Sequence, residues 1–122
     1  MARQTLPDGG SVLIADDDPD VRHVLRLLFE IEGYEVVGEA ANGLETIALV
    51  DRLRPDFVIL DEVMPLMTGS AAAKTLRAVS PATRIVAFSG VLESKPSWAD
   101  AYLNKERIGD ISPLLANLVV SA

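Results

Sequence analysis

Phe57-Val58-Ile59-Leu60-Asp61-Glu62-Val63-Met64-Pro65 is the stretch that decides the fold. Four successive apolar residues, two of them β-branched, read as a short strand buried on both faces, as in a parallel sheet covered by helices. The strand runs straight into a carboxylate and then a proline-bearing loop. Open α/β sheets meet their ligands at the carboxyl ends of the strands, so Asp61 stands where a ligand is expected.

Upstream, Ser11 to Ala15 reads as a first strand with Val12, Leu13 and Ile14 buried, ending at Asp16-Asp17. Asp18 followed by Pro19 starts a helix, because Asp18 can accept from free backbone N–H groups and Pro19 loses no bond at the first helical position. Val21, Val24, Leu25, Leu28 and Ile31 follow at helical spacing, and Gly33 stops the helix. Tyr34 to Gly38 is a second strand, Asn42-Gly43 a turn, and Ile47, Val50 and Leu53 form the stripe of a second helix ending before Pro55.

Downstream, Ser70 to Val79 is an alanine-rich helix with Ala73, Leu76 and Val79 inward, closed by Ser80-Pro81. Thr83 to Phe88 is a fourth strand running out at Ser89-Gly90. Ala101 to Asn104 is a fifth ending at Lys105, and Ile111 to Val120 is a last helix. Strand and helix alternate throughout, which predicts an α/β, flavodoxin-like five-stranded parallel sheet of order 2-1-3-4-5 with helices on both faces. The connection from Gly90 to Asp100 contains Pro96 and barely suffices for a crossover helix, so the fourth helix is expected to be short or missing.

At 122 residues and 49% apolar content the chain is expected to form one domain over 11–120, preceded by a flexible lead-in over 1–10 with Pro7 and Gly9-Gly10. No apolar run approaches the roughly 18 residues of a membrane span, and Met1 to Gly10 lacks the apolar core of a signal peptide. A cytoplasmic protein with no membrane insertion is the expectation. Without cysteine there is neither a disulfide framework nor a thiolate nucleophile or metal site. The net charge of −7 repels phosphate backbones and anionic lipid, so no nucleic acid partner is expected. Asp16-Asp17-Asp18 with Asp20 reads either as a divalent cation site or as a solvated acidic loop.

Four of the five strands end in polar side chains at one sheet edge: Asp16 and Asp17, Asp61, Ser89, and Lys105. Three carboxylates crowded without a cation would repel, whereas Mg²⁺ accepts one or two carboxylates together with waters and phosphate oxygens. A lysine and a hydroxyl opposite them can hold further phosphoryl oxygens. That is equipment for phosphoryl transfer onto Asp61.

Val-Leu-Ile-Ala-Asp-Asp-Asp-Pro (12–19), Val-Ile-Leu-Asp-Glu-Val-Met-Pro (58–65), Phe-Ser-Gly (88–90) and Ala-Tyr-Leu-Asn-Lys (101–105), in this order, make the chain resemble a response-regulator receiver domain of two-component signalling, of the stand-alone CheY-like type. The resemblance implies that Asp61 is the phosphoacceptor, taking a phosphoryl group from a sensor histidine kinase or histidine phosphotransfer protein and acting through an unknown downstream protein. It implies Mg²⁺ bound by Asp17 and Asp61, with the backbone carbonyl of Val63 as a further ligand and Asp16 nearby or acting through water. It further implies that Lys105 pairs with Asp61 and then with the phosphoryl group, that Ser89 hydrogen-bonds that group, and that Tyr102 is the aromatic that turns as Ser89 moves. Such a chain is a switch and not an enzyme, beyond promoting its own phosphotransfer and slow self-dephosphorylation.

Several positions depart from the family pattern. Thr68 stands where an aspartate is usual before Gly69, Glu106 replaces the usual proline after Lys105, and the 90–100 connection is short. Trp98 in that connection is either a cover for core left open by the shortened helix, which is the favoured expectation, or a partner anchor. Val63 and Val91, the positions able to hold a water in line with the phosphorus, carry no hydrogen-bonding side chain, which predicts slow loss of the phosphoryl group. His23, the sole histidine, is expected to be solvated. Two other readings compete: a receiver-like adaptor working without phosphorylation, and an aspartate-nucleophile phosphatase of the haloacid dehalogenase type, which wants an acid where Val63 stands.

Overall fold

A computed structural model of the chain describes residues 9–120. In chain order the elements are β1 (Ser11–Ala15), α1 (Pro19–Ile31), β2 (Glu35–Ala40), α2 (Gly43–Leu53), β3 (Phe57–Leu60), α3 (Gly69–Val79), β4 (Arg84–Ser89), β5 (Ala101–Asn104), a 3-10 helix (Lys105–Asp110) and α4 (Ile111–Val120). The sheet has the expected order β2-β1-β3-β4-β5, and every pairing is parallel. Successive strand residues point to opposite faces, so two cores form. Val12, Ile14, Phe57, Ile59, Val86 and Phe88 pack with Leu25 and Phe29 of α1 and Ile111 and Leu115 of α4. Leu13, Val58, Leu60, Ile85 and Ala87 pack with Val50 of α2 and Ala73 and Leu76 of α3. The four residues of β3 are all buried, as a central strand covered on both sides requires.

The structure corrects several details. The buried residues of α1 are Leu25 and Phe29, with Val21 and Leu28 partly buried, while Val24 and Ile31 face solvent. Phe29 takes the position four residues beyond Leu25, one turn along the same face. Tyr34 precedes β2 and packs its ring edge-on against Phe29 and Phe57, at centroid distances of 5.5 and 6.3 Å. β2 continues past Gly38 to Ala40, because Glu39 and Ala40 stay paired with Ile14 and Ala15 of β1, and the Glu39 carboxylate finds partners in Arg22 and Arg26 at 3.0 and 2.7 Å. The β1–β2 register shifts between Val12 and Leu13. Asn42 caps α2, accepting from the backbone N–H of Glu45 at 2.8 Å, and does not form a separate turn. Asp18 and Pro19 start α1 as expected, with the Asp18 side chain accepting from the Asp20 N–H.

No helix lies between β4 and β5; the 91–99 segment crosses as irregular chain. Trp98 and Leu92 pack against the core beneath it, so Trp98 covers the sheet where a helix would have done so. Arg77 of α3 ties the segment down through the Trp98 carbonyl (3.1 Å) and the Asp100 carboxylate (3.0 Å), and the same Asp100 oxygen accepts from the Ile85 N–H at 2.8 Å. Of the lead-in expected over 1–10, residues 1–8 lie outside the described residues; the Gly10 carbonyl already accepts from the Glu35 N–H at 2.9 Å. Among the described residues no helix is long and apolar enough to cross a membrane.

Candidate functional site

β1, β3 and β4 end side by side, and their last residues deliver Asp16, Asp61 and Ser89 to one edge of the sheet. Lys105 arrives there directly after β5. Together Asp17, Asp61, Val63, Ser89, Val91 and Lys105 line a cleft of about 550 Å³. Asp16 is buried behind it at 1% exposure. The switch point of the sheet therefore brings all five strand-end groups together, as the parallel topology dictates.

Lys105 bridges the two buried carboxylates. Its Nζ lies 2.7 Å from Asp16 Oδ2 and 3.0 Å from Asp61 Oδ2. Asp61 is 4% exposed, and its Oδ1 accepts a long bond of 3.4 Å from the Val63 N–H. Burial pushes the Asp61 carboxyl above the usual carboxylate range, and repulsion from Asp16 adds to this. The bond from Lys105 and the Val63 N–H oppose the shift without cancelling it. Burial by itself would lower the Lys105 ammonium, but its bonds to Asp16 and Asp61 outweigh that and leave its pKa raised.

Asp16, Asp17 and Asp61 each offer a carboxylate oxygen within 4.8 Å of the others. Asp16 Oδ2 is buried, with the Lys105 ammonium as its polar partner among the described residues, while Asp17 is exposed at the mouth. An all-oxygen donor set with excess negative charge suits a hard divalent ion. Two oxygens on one Mg²⁺ lie at most about 4.2 Å apart, so a pair near the 4.8 Å bound would need a small closure or a bridging water.

Ser89 is fully buried, and its Oγ accepts from the Val91 N–H at 3.2 Å. Tyr102 is half-buried on the α2/α3 side of β5, and its hydroxyl donates to the Leu92 carbonyl. It borders a neighbouring groove of about 470 Å³ beside the 91–99 segment and does not line the cleft. Val63 and Val91 stand at the rim with 58% and 63% exposure. His23 is exposed, in line with the expectation.

Two departures acquire local roles. The peptide between Lys105 and Glu106 is trans, and the Glu106 N–H donates to Asn104 Oδ1 at 2.8 Å, a bond proline could not make. Thr68 caps α3, accepting from the Ala71 N–H at 3.2 Å.

Sequence reasoning passed over three residues. Glu62, next to Asp61, turns away from the cleft and holds the start of α3 through the Ser70 N–H (2.7 Å) and hydroxyl (3.0 Å). Arg22 donates to the Asp16 carbonyl at 2.7 Å. Gly69 lies so close to Asp61 that a Cβ on it would stand 2.2 Å from the Asp61 carbonyl oxygen. Only Gly69 left a sequence signal, a glycine at a loop-to-helix junction.

Residues 12–106 match the family described as the response regulator receiver domain. The chain is 37% identical over 110 residues to the transcriptional regulatory protein PdtaR of Mycobacterium tuberculosis, covering 85% of this chain and 54% of that protein. It is 39% identical over 83 residues to the chemotaxis protein CheY of Thermotoga maritima, covering 68% and 69% of the two chains. The crystal structure of the response regulator domain of Thermotoga maritima CheB superposes with a TM-score of 0.78 at 25% identity, covering 92% of this chain and 94% of that one. The chain spans about half the length of the mycobacterial relative.

Proposed function

The chain belongs to the response regulator receiver domain family, and on that premise we propose that it is a phosphorylation-dependent signalling switch with Asp61 as phosphoacceptor. The observation that carries this reading is the placement of Asp61 at the end of a fully buried strand, in one cluster with Asp16, Asp17, Lys105 and Ser89. The donor is a histidine kinase or histidine phosphotransfer protein, and the output passes to another protein. The excess negative charge and absence of cysteine support a cytoplasmic protein that does not engage nucleic acid.

In transfer, an Asp61 carboxylate oxygen attacks phosphorus, the P–N bond to the donor imidazole breaks, and its electron pair returns to the ring nitrogen. Asp17, Asp61 and the Val63 carbonyl would hold Mg²⁺, with Asp16 acting nearby or through water. When bound, Mg²⁺ neutralises charge on the phosphoryl oxygens. Lys105, already an ammonium against Asp61, follows the charge onto the phosphoryl group. Ser89 accepts from Val91 with its oxygen, leaving its hydroxyl hydrogen to donate to a phosphoryl oxygen. A shift of Ser89 disturbs Val91, and the next residue, Leu92, is held by Tyr102, so the switch acts on the 91–99 segment.

Incubation with a phosphoramidate and Mg²⁺ tests the reading. Intact mass spectrometry is expected to show one phosphoryl adduct, labile to hydroxylamine and absent in Asp61→Asn. No adduct on the wild type would favour an adaptor that works without phosphorylation, and continuous turnover of the donor would indicate a phosphatase.

The rim valines bear on lifetime. With Val63 and Val91 open to solvent yet unable to orient water, self-dephosphorylation is slow. Placing glutamine at either position is expected to speed decay of the adduct on the order of tenfold, below the ~10² that a positioned general base supplies. Unchanged decay in both variants would remove the valines from this role.

A further inference from the structure

We infer that Arg22 is a positioning residue for the peptide joining Asp16 to Asp17, and through that peptide for the Asp17 carboxylate at the cation site. The inference rests on the cation-site reading above. Asp16 is fixed at three points: its N–H donates to the Ala40 carbonyl (3.0 Å), its Oδ1 accepts from the Asp18 N–H (2.9 Å), and its carbonyl accepts from Arg22 Nη1 (2.7 Å). The first belongs to the β1–β2 ladder and the second to the start of α1. The third is the only one of these bonds made to the peptide plane that carries Asp17.

That plane is rigid, so the Asp16 carbonyl and the Asp17 N–H turn together, and turning them re-aims the Asp17 Cα–Cβ bond. Asp17 is exposed, and its own side chain makes no hydrogen bond or ion pair with a described residue. No such bond holds it, so the backbone sets where its Cα–Cβ bond points. Arg22 is suited to hold that backbone because it is itself held: its side chain is 18% exposed, and its Nε donates to Glu39 Oε1 at 3.0 Å. Glu39 is in turn clamped by Arg26 at 2.7 Å, and Arg26 reaches Glu30 at 3.3 Å. The chain of bonds links the end of β2 through α1 to the loop after β1. A guanidinium serves a carboxylate through Nε and a carbonyl through Nη1 from one planar fork, a geometry that the single nitrogen of a lysine does not reproduce.

The sign of the effect separates positioning from simple charge. By Coulomb's law alone, removing a cation beside three carboxylates should tighten Mg²⁺ binding. Loss of positioning should weaken it. Arg26 supplies the comparison: it carries the same charge and holds Glu39, but the Arg22 bond to the Asp16 carbonyl stays in place without it.

Mg²⁺ affinity would be measured by thermal shift for the wild type, Arg22→Gln, Arg22→Lys and Arg26→Gln. The Asp17 amide resonance would be followed in the same proteins in EDTA. Arg22→Gln is expected to weaken Mg²⁺ binding about tenfold, the low end for a residue behind a metal ligand, and to move the Asp17 amide without metal. Arg26→Gln, which leaves the Arg22 bond to the Asp16 carbonyl in place, should lose clearly less than Arg22→Gln, and Arg22→Lys should recover part of the loss. Binding by Arg22→Gln at wild-type strength or above overturns the inference. Should Arg22→Gln not fold, Arg22→Lys decides: affinity equal to the wild type and an unmoved Asp17 amide overturn the inference. If the wild type itself takes no Mg²⁺, the cation-site reading fails and this inference falls with it.

Discussion

Gly69→Ala is expected to destabilise the fold by about 3 kcal/mol, at the upper end of the usual cost of overpacking, and to slow phosphoryl uptake at Asp61. The added Cβ would lie 2.2 Å from the Asp61 carbonyl oxygen, 2.9 Å from its carbonyl carbon and 3.1 Å from Glu62 Cα. All three are backbone atoms, so no rotamer change relieves the contact. Either the end of β3 moves or α3 withdraws. Withdrawal strains the Gly69 N–H bond to the Glu62 carbonyl (3.0 Å) and the two bonds from Ser70 to the Glu62 carboxylate. The glycine is needed for space and not for conformation, since its φ is not positive. Gly109→Ala is the control, because nothing lies within 4 Å of a Cβ there. Urea unfolding of both variants checks the expectation, and equal midpoints would show that α3 adjusts at little cost.

The same contact marks where sequence reading runs out. The strand Phe57–Leu60 and the carboxylate after it were legible because a buried apolar run ending in an acid follows from local pattern and parallel topology. The convergence of Asp16, Asp61, Ser89 and Lys105 followed from the strand order alone. The missing helix between β4 and β5 was legible as shortage of chain, although the Arg77 tether to Trp98 and Asp100 was not, since it depends on packing across the sheet edge. Phe29 is hard to single out in α1 because apolar residues occur all round it, Val24, Leu27 and Ile31 outward as well as Leu25 inward, and only the tertiary core selects the face. Arg22, Glu62 and Glu39 are ordinary charged residues in sequence. Their roles arise from partners 6, 8 and 17 residues away.

Lys105→Gln is expected to cost about 2–3 kcal/mol in EDTA and much less in saturating Mg²⁺. Among the described residues the lysine is the cation that pairs with both carboxylates, whose side chains are 1% and 5% exposed, and removing one partner of a buried ion pair typically costs about 3–5 kcal/mol. The lower figure applies because Lys105 itself is 26% exposed and water can replace part of what it supplies. Its pKa is raised in the fold, so its contribution is fully present below its unfolded value of about 10.4 and is lost only as pH rises through the folded value. The loss should therefore be flat across neutral pH. Asp16→Asn introduced into Lys105→Gln should restore most of the stability, since the remaining cost is repulsion and desolvation of the carboxylate pair. A divalent cation does the same work as the missing ammonium. The variant should accordingly bind Mg²⁺ more tightly than the wild type, and the gap between their melting temperatures should narrow as Mg²⁺ is added. A gap that stays constant with Mg²⁺, or weaker binding by the variant, would show that Lys105 and the cation do not compensate the same charges.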